Sequence, residues 1–171
     1  MKLRFEALAN SHDRSAFLSG HATLDAWFRT QAKQQARRHV AQVFVAVDEV
    51  GIAGFYTLSM FSVKLDALPD DFSRRLPRYP DVPAALIGRL ARAQRLTGQG
   101  MGEQLVADAL TRVLQAARMI ATAVIVVDAK DAAASRFYER LGFLRFPKRV
   151  DRLFMPTQTA VEVDRRTRPR D

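Results

Sequence analysis

Three glycines at alternate positions, Gly98, Gly100 and Gly102, stand in the stretch RLTGQGMG (Arg95–Gly102), directly after an apolar run and directly before a long helical pattern. Glycine at a strand-to-helix junction admits positive φ and lets a ligand approach the backbone with no Cβ in the way. Two readings fit the spacing: a tight turn that also caps a helix, or a nest of N–H groups at a helix N-terminus, where an anion sits. Positive charge is gathered rather than spread. Arg74–Arg95 holds six arginines against one acid, and Arg145–Asp171 holds eight basic residues against four acids. These two segments carry the whole formal charge of +9, and the remaining chain is neutral. Such clustering suits a polyanionic partner, the plain alternative being an arginine-rich composition.

Other chemistries are excluded or disfavoured. There is no cysteine, which removes disulfides, thiolate metal sites and a cysteine nucleophile and suits a reducing cytoplasm. The three histidines, His12, His21 and His39, are scattered through the first quarter, so no metal site is expected. No apolar run reaches the ~20 residues of a membrane span, and the N-terminus lacks a signal-peptide core; a soluble, cytoplasmic protein without a membrane partner is expected.

The elements that must position these residues follow from periodicity. At 171 residues, 48% hydrophobic and 26% charged, the chain suits one globular α/β domain. MKLRFEAL reads as a short strand, and LDAWFRTQAKQQARRH as one amphipathic helix with Leu24, Trp27, Phe28 and Gln31 on one side. VFVAVD and IAGFYTLSMFSVKL, separated by EVG, read as a hairpin. Pro69, Pro77, Pro80 and Pro83 limit the next segment to at most a short helix and an extended loop. AALIGRLARA then reads as a strand. Met101, Leu105, Ala109, Val113 and Ala117 mark a helix from about residue 100 to 118. ATAVIVVDA has the continuous apolar character of a buried strand. DAAASRFYERLGF reads as a helix between an Asp131 N-cap and Gly142, and a last strand lies around Arg152–Met155. The order β–α–β–β–β–α–β–α–β is that of an α/β domain with a mixed, centrally parallel sheet.

Two motifs coincide in this unit. Arg95–Gly100 resembles the R/Q-x-x-G-x-G/A pyrophosphate loop of the GCN5-related N-acetyltransferases (GNAT), and Phe137–Phe143 (FYERLGF) resembles their FY-x-x-x-GF signature. The resemblance implies the GNAT fold: a mixed sheet of six to seven strands with about four helices, residues 1–160 forming the domain and 161–171 a basic, disordered tail. GFYTLS, the LP…PRYPDVP segment, GRLA, GQGMG, VDAK and FLSGHATLDAWFRTQA together resemble the acetyltransferase toxins of bacterial toxin–antitoxin pairs. That resemblance implies acetylation of the amino group of aminoacyl-tRNA, inhibition of translation, silencing by a ribbon-helix-helix antitoxin, and a homodimer. Action on a small-molecule amine or a protein or peptide amine is the alternative, and a non-catalytic binding module a further one.

The resemblance also implies roles. Acetyl-CoA would be held by Leu90, Ala91 and Arg92, whose backbone would pair with the pantetheine arm, and by the loop Arg95, Leu96, Thr97, Gly98, Gln99, Gly100, Met101, Gly102 and Glu103. N–H groups from Gln99 to Glu103 would meet the pyrophosphate and Arg95 would add a full charge. Asp131, where many relatives carry asparagine, and Phe137 complete the cofactor set. Arg92 and Ala93 stand where the toxins usually have an apolar residue and an acid. Tyr138 is the candidate catalytic acid, because a phenol with a reference pKa near ~10 stays protonated at neutral pH and donates to a departing thiolate. Tyr56 and Tyr79 fit the core. The candidate RNA-binding residues are Arg74, Arg75, Arg78, Arg89, Lys148, Arg149 and Arg152.

Overall fold

The computed structural model describes residues 2–167, the side chain of Thr167 excepted. Seven strands, β1 (Arg4–Ala7), β2 (Gln42–Val47), β3 (Ile52–Lys64), β4 (Asp81–Arg92), β5 (Val124–Asp128), β6 (Leu144–Phe146) and β7 (Arg149–Pro156), form a mixed sheet of order β1-β2-β3-β4-β5-β7-β6. The helices are α1 (Ala22–Thr30), α2 (Ala32–Arg37), α3 (Asp70–Ser73), α4 (Met101–Ala117), α5 (Ala132–Arg140) and α6 (Thr157–Thr167). The expected α/β class and mixed sheet are both observed. Contacts gather the chain into two compact units, each with its own core.

The first unit comprises the residues up to Ser59 together with Gly88–Ala109. Its core is aromatic: Phe28 lies flat on Phe55 at 4.1 Å between centroids, and Phe17 meets both edge-on. Ala32, Val43, Val45 and Ala91 fill the remainder. The expected single helix over residues 24–39 is bent at Gln31 into α1 and α2. Thr30 donates its hydroxyl to the Ala26 carbonyl at 2.7 Å, a back-bond that bends a helix without abolishing its ladder. Gly54 of β3 permits close packing, since a Cβ there would stand 2.8 Å from Leu105 Cδ1 and 2.9 Å from the Ala91 carbonyl.

The second unit comprises Met60–Ile87 and the residues from Leu110 onward. Strand β5 is buried along its apolar length and pairs parallel to β4 from Ala84↔Val124 to Ile87↔Val127, and antiparallel to β7. Val63, Leu68, Val82, Phe146 and Phe154 belong to its core. Two elements depart from expectation. The three-residue β6 pairs with β7 because Phe146 is buried, too short a signal to read by period. The tail expected from residue 161 is helical in its described part: α6 buries Ala160 fully and Thr111 donates to Asp164 at 3.1 Å, so the fold continues to Thr167. Residues 168–171 of that expected tail lie outside the described residues.

Candidate active site

In the first unit, β4 ends by tying its last residues into the fold. The Ala93 N–H donates to the Ala53 carbonyl at 2.7 Å, and the Gln94 N–H to the Leu18 carbonyl at 2.8 Å. A 3-10 turn, Gln94–Leu96, follows, and Thr97 Oγ1 donates back to the Gln94 carbonyl at 2.6 Å. Gly98 and Gly100 both take φ +73°, the left-handed region in which only glycine is free of strain. A Cβ at either would meet no protein atom within 4 Å, so backbone conformation, not packing, requires glycine there, and the space beside the loop stays open. Helix α4 begins at Met101, its buried face formed by Met101, Leu105, Val106, Ala109, Leu110 and Val113.

The loop N–H groups set its electrostatics. Among the described residues, the N–H groups of Gly98, Gly100, Met101, Gly102 and Glu103 have no hydrogen-bond acceptor, while the Gln99 N–H donates to the Leu96 carbonyl at 3.3 Å. Gln99 is thus set apart from the donors expected of it. The remaining row stands at the positive end of a 17-residue helix and fits a pyrophosphate. Arg95 corrects a second expectation: its charge is not free. Its two terminal nitrogens grip the Asp48 carboxylate at 2.8 and 2.9 Å. The side chain of Asp48 is only 4% exposed and also accepts the Val50 and Gly51 N–H groups. Arg95's hydrogen bonds above all hold the Asp48 carboxyl below the ordinary carboxylate value, against the effect of its burial. Leu90, Ala91 and Arg92 lie on β4 beyond Ile87, where the paired register with β5 ends.

In the second unit, Asp131 caps α5 by accepting the Ala134 N–H at 2.8 Å. That carboxylate oxygen is held by its own helix. Tyr138, three residues after the buried Ser135, points inward and is 5% exposed. Phe137 and Phe143 stand edge-on to its ring at 5.2 and 5.6 Å. Burial first, and then the negative charge of Asp128, push its phenol well above the ordinary tyrosine value. The hydroxyl has no hydrogen-bond partner among the described residues, which leaves it a protonated donor. Tyr56 is fully buried and donates to Asp108, as expected of a core residue. Tyr79 corrects the companion expectation: it is 71% exposed, in the proline-flanked segment before β4.

The candidate RNA-binding cations divide by partner. Lys148, Arg149 and Arg152 line a cavity of about 330 Å³ with Phe61, Lys64 and Phe146. Two of the three are paired: Arg149 grips Asp151 at 2.9 and 3.1 Å, and Arg152 grips Asp128, its opposite number across β5–β7, at 2.7 and 3.2 Å while lying over the Phe61 ring. Arg74, Arg75 and Arg78 stay apart from that cavity, exposed and without a carboxylate among the described residues. Arg89 belongs to the first unit and differs from all of these. Its guanidinium lies 4.3 Å from the Trp27 ring centroid, with no carboxylate partner among the described residues. Burial lowers its pKa, though an arginine so placed keeps its charge.

Asp48, Asp128, Phe61 and Trp27 were not nominated from sequence. Their contacts span 24 to 91 residues, and no local spacing announces them.

The acetyltransferase (GNAT) domain family matches residues 39–145. The chain is 32% identical over 159 residues to a probable toxin TacT of Sinorhizobium fredii (strain NBRC 101917 / NGR234), covering 88% of each chain. Its structure resembles that of AtaT complexed with acetyl-methionyl-tRNAfMet, with TM-score 0.87, 28% identity, and 95% and 98% of the two chains covered. It also resembles a Tyr-to-Phe variant of the AtaT toxin bound to the C-terminus of the antitoxin AtaR and acetyl-CoA, with TM-score 0.80, 25% identity, and 95% and 98% covered.

Proposed function

Because the chain belongs to the GNAT acetyltransferase family and is an N-acetyltransferase that uses acetyl-CoA, we propose that its acceptor is the α-amino group of aminoacyl-tRNA. Acetylation there would block translation in the cytoplasm, and a ribbon-helix-helix antitoxin would silence the enzyme. The proposal includes a homodimer. The observation that carries it is that five of the seven candidate RNA-binding cations, Arg74, Arg75, Arg78, Arg89 and Lys148, have no carboxylate partner among the described residues, on a chain whose positive charge is gathered in two segments. A small-molecule amine gives no reason for such a set, whereas phosphates do. The relative AtaT, complexed with acetyl-methionyl-tRNAfMet, supports the same acceptor.

Bound acetyl-CoA supplies the thioester whose acyl carbon is transferred. The N–H groups of Gly98 and of Gly100 to Glu103 would hold the pyrophosphate, for which the open space beside Gly98 and Gly100 leaves room. Tyr138 holds a proton at Oη, kept there by burial, for the departing thiolate. The chain need supply no strong base, because an α-amino group titrates near ~8 and is partly neutral at working pH.

Incubation with radiolabelled acetyl-CoA and total charged tRNA tests the acceptor. The label is expected in the tRNA fraction and is released by mild alkaline hydrolysis as N-acetyl amino acid. Label confined to polyamines or peptides overturns the proposal in favour of a small-molecule or protein acceptor.

A further inference from the structure

The glycine loop must hold its N–H groups in fixed directions to bind an anion, yet Gly98 and Gly100 are the residues least able to hold a backbone still. Something outside the loop has to set it. We infer that Asp48, in the turn between β2 and β3, is a positioning residue for the cofactor: it anchors the loop through Arg95 and withholds that arginine from the pyrophosphate.

The geometry is that of a strut. Both Asp48 oxygens face the two terminal nitrogens of Arg95 in parallel, the most directional pairing available to these groups. Oδ1 is fixed in turn by the Val50 and Gly51 N–H groups at 2.9 and 3.1 Å, and the Asp48 N–H donates to the Gly51 carbonyl at 3.0 Å. The carboxylate therefore belongs to the hairpin as firmly as to the arginine. At the other end, the Arg95 carbonyl accepts Gln99 Nε2 at 3.1 Å, so the anchored residue grips the loop between its two glycines. All these groups lie within the first unit. A carboxylate nearly sealed from water and facing a single cation is unfavourable to abandon, so Arg95 stays with Asp48 when an anion arrives. The anion is met by N–H groups and the helix dipole alone.

This inference rests on the loop being the acetyl-CoA site, and its test keeps the two apart. Calorimetric titration with acetyl-CoA is compared for the wild type, Asp48→Asn, Arg95→Gln and the double variant. Asparagine retains an oxygen for the Val50 and Gly51 N–H groups and removes only the charged fork. Each single change is expected to weaken binding about tenfold. The double variant should be no weaker than either single, because both remove one strut. The KM for acetyl-CoA should rise in step while kcat at saturation stays unchanged, a split that general loss of folding would not give. If Arg95 instead contacted the pyrophosphate, Asp48→Asn would release it and tighten binding while Arg95→Gln weakened it; that opposite sign overturns the inference. Should Asp48→Asn fail to fold, Arg95→Gln with an unchanged Kd overturns it equally. A wild type that binds no acetyl-CoA refutes the site itself.

Discussion

Replacing Arg74, Arg75 and Arg78 together by alanine should change how tRNA binding responds to salt, and by an amount the structure sets. Of the seven candidate RNA-binding cations, Arg149 and Arg152 already face carboxylates, and an anion must compete with Asp151 and Asp128 for them. Five have no such partner among the described residues: Arg74, Arg75, Arg78, Arg89 and Lys148. Each phosphate neutralised contributes roughly 0.7–0.9 to the slope of log affinity against log salt, through the counterions it releases. Five contacts predict a slope of about −3.5 to −4.5, so raising salt from about 50 to 200 mM should weaken binding by roughly 100- to 500-fold. The triple variant retains two contacts and should show a slope of about −1.4 to −1.8. Fluorescence anisotropy with labelled aminoacyl-tRNA at several salt concentrations, without acetyl-CoA, reads both slopes. Because the three arginines are exposed and touch no carboxylate among the described residues, their removal should leave the thermal midpoint unchanged, so that lost slope is not lost fold. A wild-type slope near zero, or equal slopes in wild type and triple variant, refutes the reasoning that unpaired cations are the ones that meet phosphate.

Tyr138→Phe removes the proton at Oη and leaves the ring among Phe137 and Phe143; kcat should fall roughly 10²- to 10⁴-fold with the acetyl-CoA Kd unchanged, and weakened cofactor binding would argue against an acid role. The direction of its pKa shift adds a pH test: the phenol is raised, so the wild type should show no alkaline loss of kcat below about pH 10, and a descending limb near pH 8 would contradict it. Gly98→Ala and Gly100→Ala force φ +73° on a residue with a Cβ that meets no protein atom, so each should cost only about 1–2 kcal/mol of fold stability by chemical denaturation. Their acetyl-CoA Kd, by calorimetry, should rise by more than tenfold because the same Cβ enters the space beside the loop, and an unchanged Kd would count against that space as the anion site.

The candidate site residues were legible because their signals are local. Positive φ at Gly98 and Gly100 and the start of α4 follow from a glycine pair beside a periodic stripe, and the Asp131 cap from one residue before a helix. Tyr138 was legible as a candidate acid because it stands within a short signature. What escaped was set by pairing across distance. Tyr79 was expected to be buried on residue type alone, and its proline-flanked segment leaves it exposed. Helix α6 was missed because its anchors, Ala160 and the Thr111–Asp164 bond, are few in a charged stretch.

Charge shows the division most clearly. The sequence by itself determined how many cations there are, where they cluster and that they exceed the acids, since formal charge belongs to residue type alone. Only the tertiary structure decided which are available to a ligand. Arg95 was expected to face an anion and is held by Asp48, 47 residues away, while Arg89 rests on Trp27 with no carboxylate partner among the described residues. The reason is that an ion pair or a ring contact depends on separations of a few ångströms, and the fold, not the spacing along the chain, sets those.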